Sequence, residues 1–294
     1  MTTTTHPLIH REWQPLPGIE TTTKHDFTIM TWNILADSLA HGTSEAHALI
    51  VPKKVILTWK HRAPLILAEI DRVNPDILCL PEGDHYYDWL VDELQTRGYH
   101  TTWCPKQKAK DGIVIAWKIS MFDMLQTSSF TLHDTHSQVA ARVILGHCNT
   151  QHFIDIGTTH LKSKPSFSKV RLEEMFRLIH HFPRVIFNDE KQPTFLSIIV
   201  GDFNDIPSSD TCSLLSQYMS RLEYPGHEDE PAWTTMKKRH EVVQRTIDHV
   251  YSNNRGAEPV AIWSTPSKAQ CPNYLPAVDY PSDHIALAVR YKWI

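Results

Sequence analysis

GIVIAWK (112–118), MFDMLQTSSF (121–130), QVAARVILG (138–146) and QHFIDIGTTH (151–160) follow one another with short links and no helical stretch between them. Each run has strand length, and strands joined by short links pair as antiparallel neighbours. Working outward, the pattern changes. FTIMTWN (27–33) and DILCLP (76–81) are again strand-length, but WKHRAPLILAEIDRV (59–73) between them has helical spacing, with Pro64 tolerable only near a helix start. HYYDWLVDELQTRG (85–98) predicts a helix closed by Gly98. On the other side come a helix over 168–182, the strand FLSIIV (195–200), a helix over 209–220 and strands near 245–252, 258–263 and 284–291. The chain therefore mixes parallel and antiparallel logic. An α/β fold of two packed sheets with helices outside satisfies it, because each sheet needs both faces covered.

With 294 residues, 41% of them hydrophobic, the chain can enclose a large core. No internal repeat, linker or composition break calls for a second domain. Residues 1–25, rich in Thr and His with Pro7, Pro15 and Pro17, read as a flexible N-terminal leader before a folded domain over 26–294. No apolar run reaches the length of a membrane span, and the N-terminus has neither a signal-peptide core nor the Arg content of a mitochondrial leader. The expected location is cytoplasmic or nuclear. Five scattered cysteines without a Cys-x-x-Cys pair argue against a disulfide framework or a thiolate zinc site. Among nineteen histidines, His180 and His181 point in different directions on a helix and read as surface. A net charge of −4 does not suit a long grip on duplex DNA, whereas a small nucleotide substrate needs only a local basic groove.

The informative polar residues fall where apolar strands end. FTIMTWN ends in Asn33, DILCLP is followed by Glu82, and FIDIGTTH ends in His160 with Lys162 two residues on. FLSIIV runs into GDFN, delivering Asp202 and Asn204; RTIDHVYS carries Asp248, and SDH opens the last strand with Asp283 and His284. Strand ends are rigid, so these groups can converge on one crevice. Oxygen ligands from Glu, Asp and Asn suit Mg²⁺, and imidazoles and Lys stabilise charge on phosphate. Each has an ordinary reading too. Glu82 alone is a solvated loop carboxylate, GDFN an Asx-capped turn, and His160 a satisfied histidine. Asp248, in an apolar strand, needs a partner, which is either a structural Arg such as Arg245 or a catalytic His. Their joint order is hard to ascribe to coincidence.

At these residues the chain resembles the endonuclease/exonuclease/phosphatase superfamily, in its nocturnin and poly(A) deadenylase branch. The matching segments are TWNILADSL (31–39), NPDILCLPEGDHY (74–86), KDGIVIAWK (110–118), TTHLKSK (158–164), VGDFNDIPSSD (200–210), TIDHVYS (246–252) and YPSDHIALAVRY (280–291). They span nearly all of the chain after the leader, and REWQPLP (11–17) resembles the stretch before the catalytic domain. The resemblance implies a four-layer α/β/β/α sandwich, two mixed sheets flanked by helices. It implies Mg²⁺, with Mn²⁺ as the alternative and one or two ions, held by Glu82 with Asn33 beside it and Asp283 at a second metal or the water. Asp202 is implied to activate water, Asn204 to hold phosphate, and Asp248 to pair with His284, which contacts a phosphate oxygen. His160 and Lys162 are implied to bind phosphate or assist the leaving oxygen, and Asp111 and Arg171 to lie against substrate.

Two places depart from the family's pattern. Pro81 and Gly83 flank Glu82 where relatives carry Gln and a branched residue, and KQKAK (106–110) is shorter than the usual loop, which opens the crevice. The implied reaction is in-line attack of water on phosphorus. The first substrate expectation is adenine-rich single-stranded RNA cut from its 3′ end. Next come the 2′-phosphate of NADP(H) and 2′,5′-oligoadenylate. A catalytically dead binding module would have lost Glu82, Asp202, Asn204, Asp248 or His284, and all five are present.

Overall fold

The computed structural model describes residues 8–20, 24–41, 54–182, 195–227, 230–238, 240–271 and 274–294. Its strands are β1 (Trp13–Pro15), β2 (Phe27–Thr31), β3 (Ile77–Gly83), β4 (Tyr99–Pro105), β5 (Gly112–Lys118), β6 (Phe122–Thr131), β7 (Val139–His147), β8 (Phe153–His160), β9 (Phe195–Asp202), β10 (Ser220–Arg221), β11 (Thr235–Lys238), β12 (Val242–Arg245), β13 (Asp248–Ser252), β14 (Ala257–Trp263) and β15 (Leu287–Trp293). The helices are α1 (Asp37–Ala40), α2 (Trp59–Val73), α3 (Val91–Thr96), α4 (Ser168–His180) and α5 (Asp210–Ser216).

Seven strands form one sheet in the order β1-β14-β15-β2-β3-β5-β4, and six form another in the order β10-β13-β9-β8-β7-β6. Both are mixed. Each has one parallel pair, β2 with β3 and β8 with β9, and each pair is joined through a helix, α2 or α4. The sheets pack face to face, β3 and β5 against β7, β8 and β9, with helices flanking them. This is the α/β/β/α sandwich. The block 112–160 runs β5 to β8; β6, β7 and β8 are consecutive antiparallel neighbours, while β5 belongs to the other sheet.

Strand periodicity decides what reaches the inside. On β9, Leu196, Ile198 and Val200 join the core between the sheets, while Ile199 faces out to a second cluster with Met175 and Leu178 of α4 and Cys212 and Leu215 of α5. Asp202 continues the inward row. The same alternation puts Ile154, Ile156 and then His160 inward on β8, and Asp248 and Val250 inward on β13. Gly201 lets β8 and β9 close up just below these ends. Its φ is +134°, and a Cβ there would stand 2.1 Å from the Thr159 carbonyl oxygen.

The helix expected over 59–73 has those bounds, and it ends where Asn74 turns left-handed and donates to the Ile70 carbonyl at 2.7 Å. The helix expected over 85–98 is shorter, opening as one π-helical turn (Tyr86–Leu90) before α3. The last strand begins at Leu287, so Asp283 and His284 precede it, Asp283 in a bend and His284 bridged to Thr235 of β11. The leader also needs correcting over residues 8–20. β1 pairs with β14, Ile9 is buried, and Arg11 donates to the Ser264 and Ala286 carbonyls (2.6 Å each) and to Glu69 (3.0 Å). Ile9 in the core, Trp13 and Leu16 packed against it, and the buried bonds of Arg11 together order this stretch, and the polar part leaves no trace in hydropathy. Residues 1–7 and 21–23 of the leader lie outside the described residues. Among the described residues no helix is long and apolar enough to cross a membrane.

Glu174 of α4 is fully buried and accepts the Lys162 N–H at 2.8 Å, tying the helix to the segment after His160. Burial raises its pKa to about 7, above an unfolded value of 4.5. The folded state then holds the proton more tightly, so the contribution is complete below pH 4.5 and is lost as pH rises through 7. Glu174→Gln carries no such charge. Unfolding of the two proteins in urea from pH 4.5 to 8 is expected to show the variant gaining about 3 kcal/mol on the wild type. A difference that does not change with pH would contradict this.

Candidate active site

His160 and Asp202 are register partners across β8 and β9, and Asp248 faces Asp202 from β13. The row meets groups from the other sheet. Asn33 donates through Nδ2 to Glu82 Oε1 at 3.0 Å and to Asp202 Oδ2 at 3.1 Å, so one buried amide spans the two walls. Its Oδ1 accepts the Leu35 N–H at 3.0 Å. Glu82 Oε2 accepts the Ala36 N–H at 2.9 Å.

Glu82 sits in a bulge. Pro81 pairs with Ile113 and Gly83 with Gly112, which leaves Glu82 unpaired at φ +57°. The bulge re-aims its carboxylate into the crevice. Gly83 has a local reason, since a Cβ there would stand 2.8 Å from Val114 Cγ2. Arg62 of α2, wholly buried, donates to the carbonyls of Ile34 (3.1 Å), Leu35 (2.7 Å) and Pro281 (3.3 Å), fixing the segments that carry Asn33 and Asp283.

His284 Nδ1 lies 2.8 Å from Asp248 Oδ2, and that carboxylate also accepts the Thr234 hydroxyl at 2.6 Å. Arg245 is not the partner. Burial alone would lower the pKa of His284, but Asp248 and Asp202 outweigh it and hold the imidazole charged above its ordinary range. Its Nε2 is 3.7 Å from Asp202 Oδ2. Burial, with the Asp248 charge added, raises the Asp202 pKa, although His284 opposes it. His160 differs. Burial and the Lys106 ammonium at 3.2 Å from Nδ1 push it well below 6.5, so it is neutral, and its Nε2 faces Asp202 at 3.5 Å. An imidazolium and a neutral imidazole thus flank one carboxylate.

Two lysines here carried no sequence signal. Lys237 of β11 places Nζ 2.8 Å from Asp283 Oδ2 and 3.2 Å from His284 Nε2. Burial would raise Asp283, but the lysine holds it down at about 2. Lys106 opens the short loop expected to widen the crevice. It folds inward, bonding Asp111 at 2.5 Å as well as His160, and so fills that side. Lys237 and Lys106 pair with acids distant in sequence or across a loop, and no spacing reveals that.

A crevice of about 500 Å³ is lined by Glu82, Lys106, Asp111, His160, Lys164, Asp202, Asn204, Lys237, Asp283 and His284, among others. Asn204, left-handed at φ +52°, donates its backbone N–H to Asp202 Oδ1 and its amide to the Leu161 carbonyl. Asn33 and Asp248 stand behind the lining. Lys162 lies with Nζ 5.0 Å from the Phe167 ring, outside the lining. Arg171, expected against substrate, is 3% exposed and donates to Asp205 (2.9 Å) and to the carbonyls of Lys162 and Lys164 (3.0 and 2.7 Å). Its fork is taken by protein acceptors, so it shapes the loop that presents Lys164.

The donors suit a hard divalent cation, being carboxylate oxygens with one imidazole. Among the described residues, potential ligand atoms of Asp202, Asp248 and His284 lie within 4.8 Å of one another. Glu82 is outside that trio but is linked to it through Asn33.

A carboxylate able to take a proton, beside fixed positive charge, suits attack by water on a phosphoryl group. The chain is a phosphoester hydrolase. Residues 30–284 match the Endonuclease/Exonuclease/phosphatase family, and the chain belongs to that family, in its nocturnin branch. Nocturnin of Xenopus laevis is 30% identical over 290 residues, covering 91% of this chain and 72% of the relative. Protein angel homolog 2 of Homo sapiens is 28% identical over 219 residues, 69% of this chain and 39% of that protein. Among solved structures, ANGEL2, a 2′,3′-cyclic phosphatase, in complex with adenosine-2′,3′-vanadate superposes with a TM-score of 0.84 at 20% identity, covering 97% of this chain and 99% of that one. The human Nocturnin catalytic domain with bound sulfate superposes with a TM-score of 0.74 at 24% identity, covering 97% of each chain.

Proposed function

We propose that the chain is a Mg²⁺-dependent 3′-to-5′ exoribonuclease acting on adenine-rich single-stranded RNA. One observation favours a diester over a terminal phosphate. The crevice adjoins a second chamber of about 250 Å³, lined by Pro165, Thr235, Glu241, Val243, Arg245 and Ile247, and both chambers share Lys164, Asn204 and Lys237. A phosphate at those shared residues has room for a substituent on either side. Partly apolar walls with a few polar groups suit a nucleoside.

Glu82, with Asn33 and Asp283 near it, would hold Mg²⁺, which would screen the phosphate's charge. The remaining work falls to the chain. Asp202, its pKa raised, takes the proton of the attacking water. His284, kept charged by Asp248, donates from Nε2 to a phosphate oxygen, and Lys237 adds positive charge beside it. The bond from phosphorus to the upstream 3′-oxygen breaks as the bond to water forms; neutral His160, with Lys106 at Nδ1, donates a hydrogen bond from Nε2 to that departing oxygen, which takes its proton from solvent. Asn204 positions phosphate at the mouth of the second chamber.

Parallel assays of 5′-labelled oligo(A) and NADPH with Mg²⁺ test the reading. The expected outcome is stepwise shortening of the RNA with release of mononucleotides. Phosphate release from NADPH with an intact RNA ladder would refute it and favour the 2′-phosphatase; cleavage confined to 2′,5′-linked oligoadenylate would do the same for that linkage.

A further inference from the structure

Beside the loop that carries Lys106 lie three interlocked rings that the mechanism does not use. Tyr86 stacks on Trp103 with centroids 4.8 Å apart and planes 13° apart, and Tyr87 meets both edge-on at 5.0 and 5.2 Å. The Tyr86 hydroxyl is anchored to Thr101 Oγ1 at 2.8 Å, so the group is fixed. Tyr87 is 76% exposed, more than any other large hydrophobic residue described.

Position gives these rings their meaning. Tyr86 and Tyr87 open the helical turn that follows Asp84 and His85 after β3, and Trp103 lies on β4 two residues before its end at Pro105. From there the chain turns into the crevice through Lys106, while Lys108 and Lys110 stand exposed with no ion-pair partner among the described residues. The rings thus sit beside the two strands that carry Glu82 and Lys106 to the crevice, and the loop after β4 adds unpaired positive charge.

We propose that this face is a platform for the upstream nucleotides of a single-stranded RNA whose 3′ end occupies the crevice. Bases stack on Tyr87 and Trp103, and backbone phosphates run past Lys108 and Lys110. The proposal rests on the RNA reading of the crevice. Stacking on rigid rings tolerates any base, and lysine contacts to phosphate release counterions, which ties binding to ionic strength. A chain that must slide through after each cut needs grip of this sequence-independent kind.

The test compares kcat/KM for the dinucleotide ApA, too short to reach the platform, with that for a long oligo(A), using the full chain with Mg²⁺. In Tyr87→Ala the ratio of long to short is expected to fall about tenfold, mainly through KM on the long substrate. Replacing Lys108 and Lys110 together by Ala is expected to flatten the salt dependence of that KM. A Tyr87→Ala ratio equal to the wild type's overturns the platform while leaving the RNA reading intact. Wild-type protein that hydrolyses neither RNA but does hydrolyse NADPH overturns the RNA reading, and the platform with it.

Discussion

Asp248→Asn is expected to lower kcat on the order of 10³-fold with the half-saturating Mg²⁺ concentration nearly unmoved. The carboxylate does two things to His284 through the 2.8 Å contact at Nδ1. It accepts the Nδ1 proton, which leaves Nε2–H facing the crevice, and its charge keeps the buried ring protonated. Asparagine removes the charge and can turn an N–H towards Nδ1, favouring the wrong tautomer. The Thr234 hydroxyl still finds an acceptor in the amide oxygen, so the fold survives. Steady-state kinetics across a Mg²⁺ titration separates the two effects. If kcat and Mg²⁺ affinity collapse together, Asp248 is a ligand or a structural group, a reading left open by the closeness of its oxygen to Asp202.

The sequence disclosed the strand-end residues because a buried strand writes its alternation into the chain. Once Leu196, Ile198 and Val200 are read as inward, Asp202 follows from period two alone. The same holds for His160 beyond Ile154 and Ile156. Edge strands were harder. β4 alternates Thr, Trp and Cys with no long apolar run, and the hairpin β11–β12 is rich in charge, so neither shows a strand pattern in the sequence. The hidden parts of the site came with them: Lys237 rides on β11, and Lys106 follows β4. Lys237 reaches Asp283, and Lys106 reaches His160, only when distant segments meet, and the bond from Lys106 to Asp111 across its own loop has no spacing that marks it. Arg171 shows the opposite error. The family resemblance implies a substrate role for it, but here its acceptors are Asp205 and the loop's own carbonyls.

Glu82→Gln tests the other half of the site, with an expected loss of Mg²⁺-supported turnover of at least about 100-fold. Gln keeps the Cβ, so the strain of a left-handed residue in the bulge is the same in both proteins. It also keeps an oxygen for either Ala36 N–H or Asn33 Nδ2, although not for both, so the fold is expected to persist. What disappears is one negative charge on the crevice wall opposite Asp202. Metal and phosphate should then respond in opposite directions. Stabilisation of the protein by Mg²⁺ in thermal melts is expected to vanish, because that gain reports binding to the folded state alone. Inhibition by inorganic phosphate is expected to tighten in the same variant, since Lys106 and Lys237 then face fewer carboxylates. Retained turnover would remove Glu82 from the metal assignment. Loss of turnover with unchanged Mg²⁺ stabilisation would move the ion to the Asp202, Asp248 and His284 trio, and Glu82 would then act through its hydrogen bonds from Asn33 and Ala36.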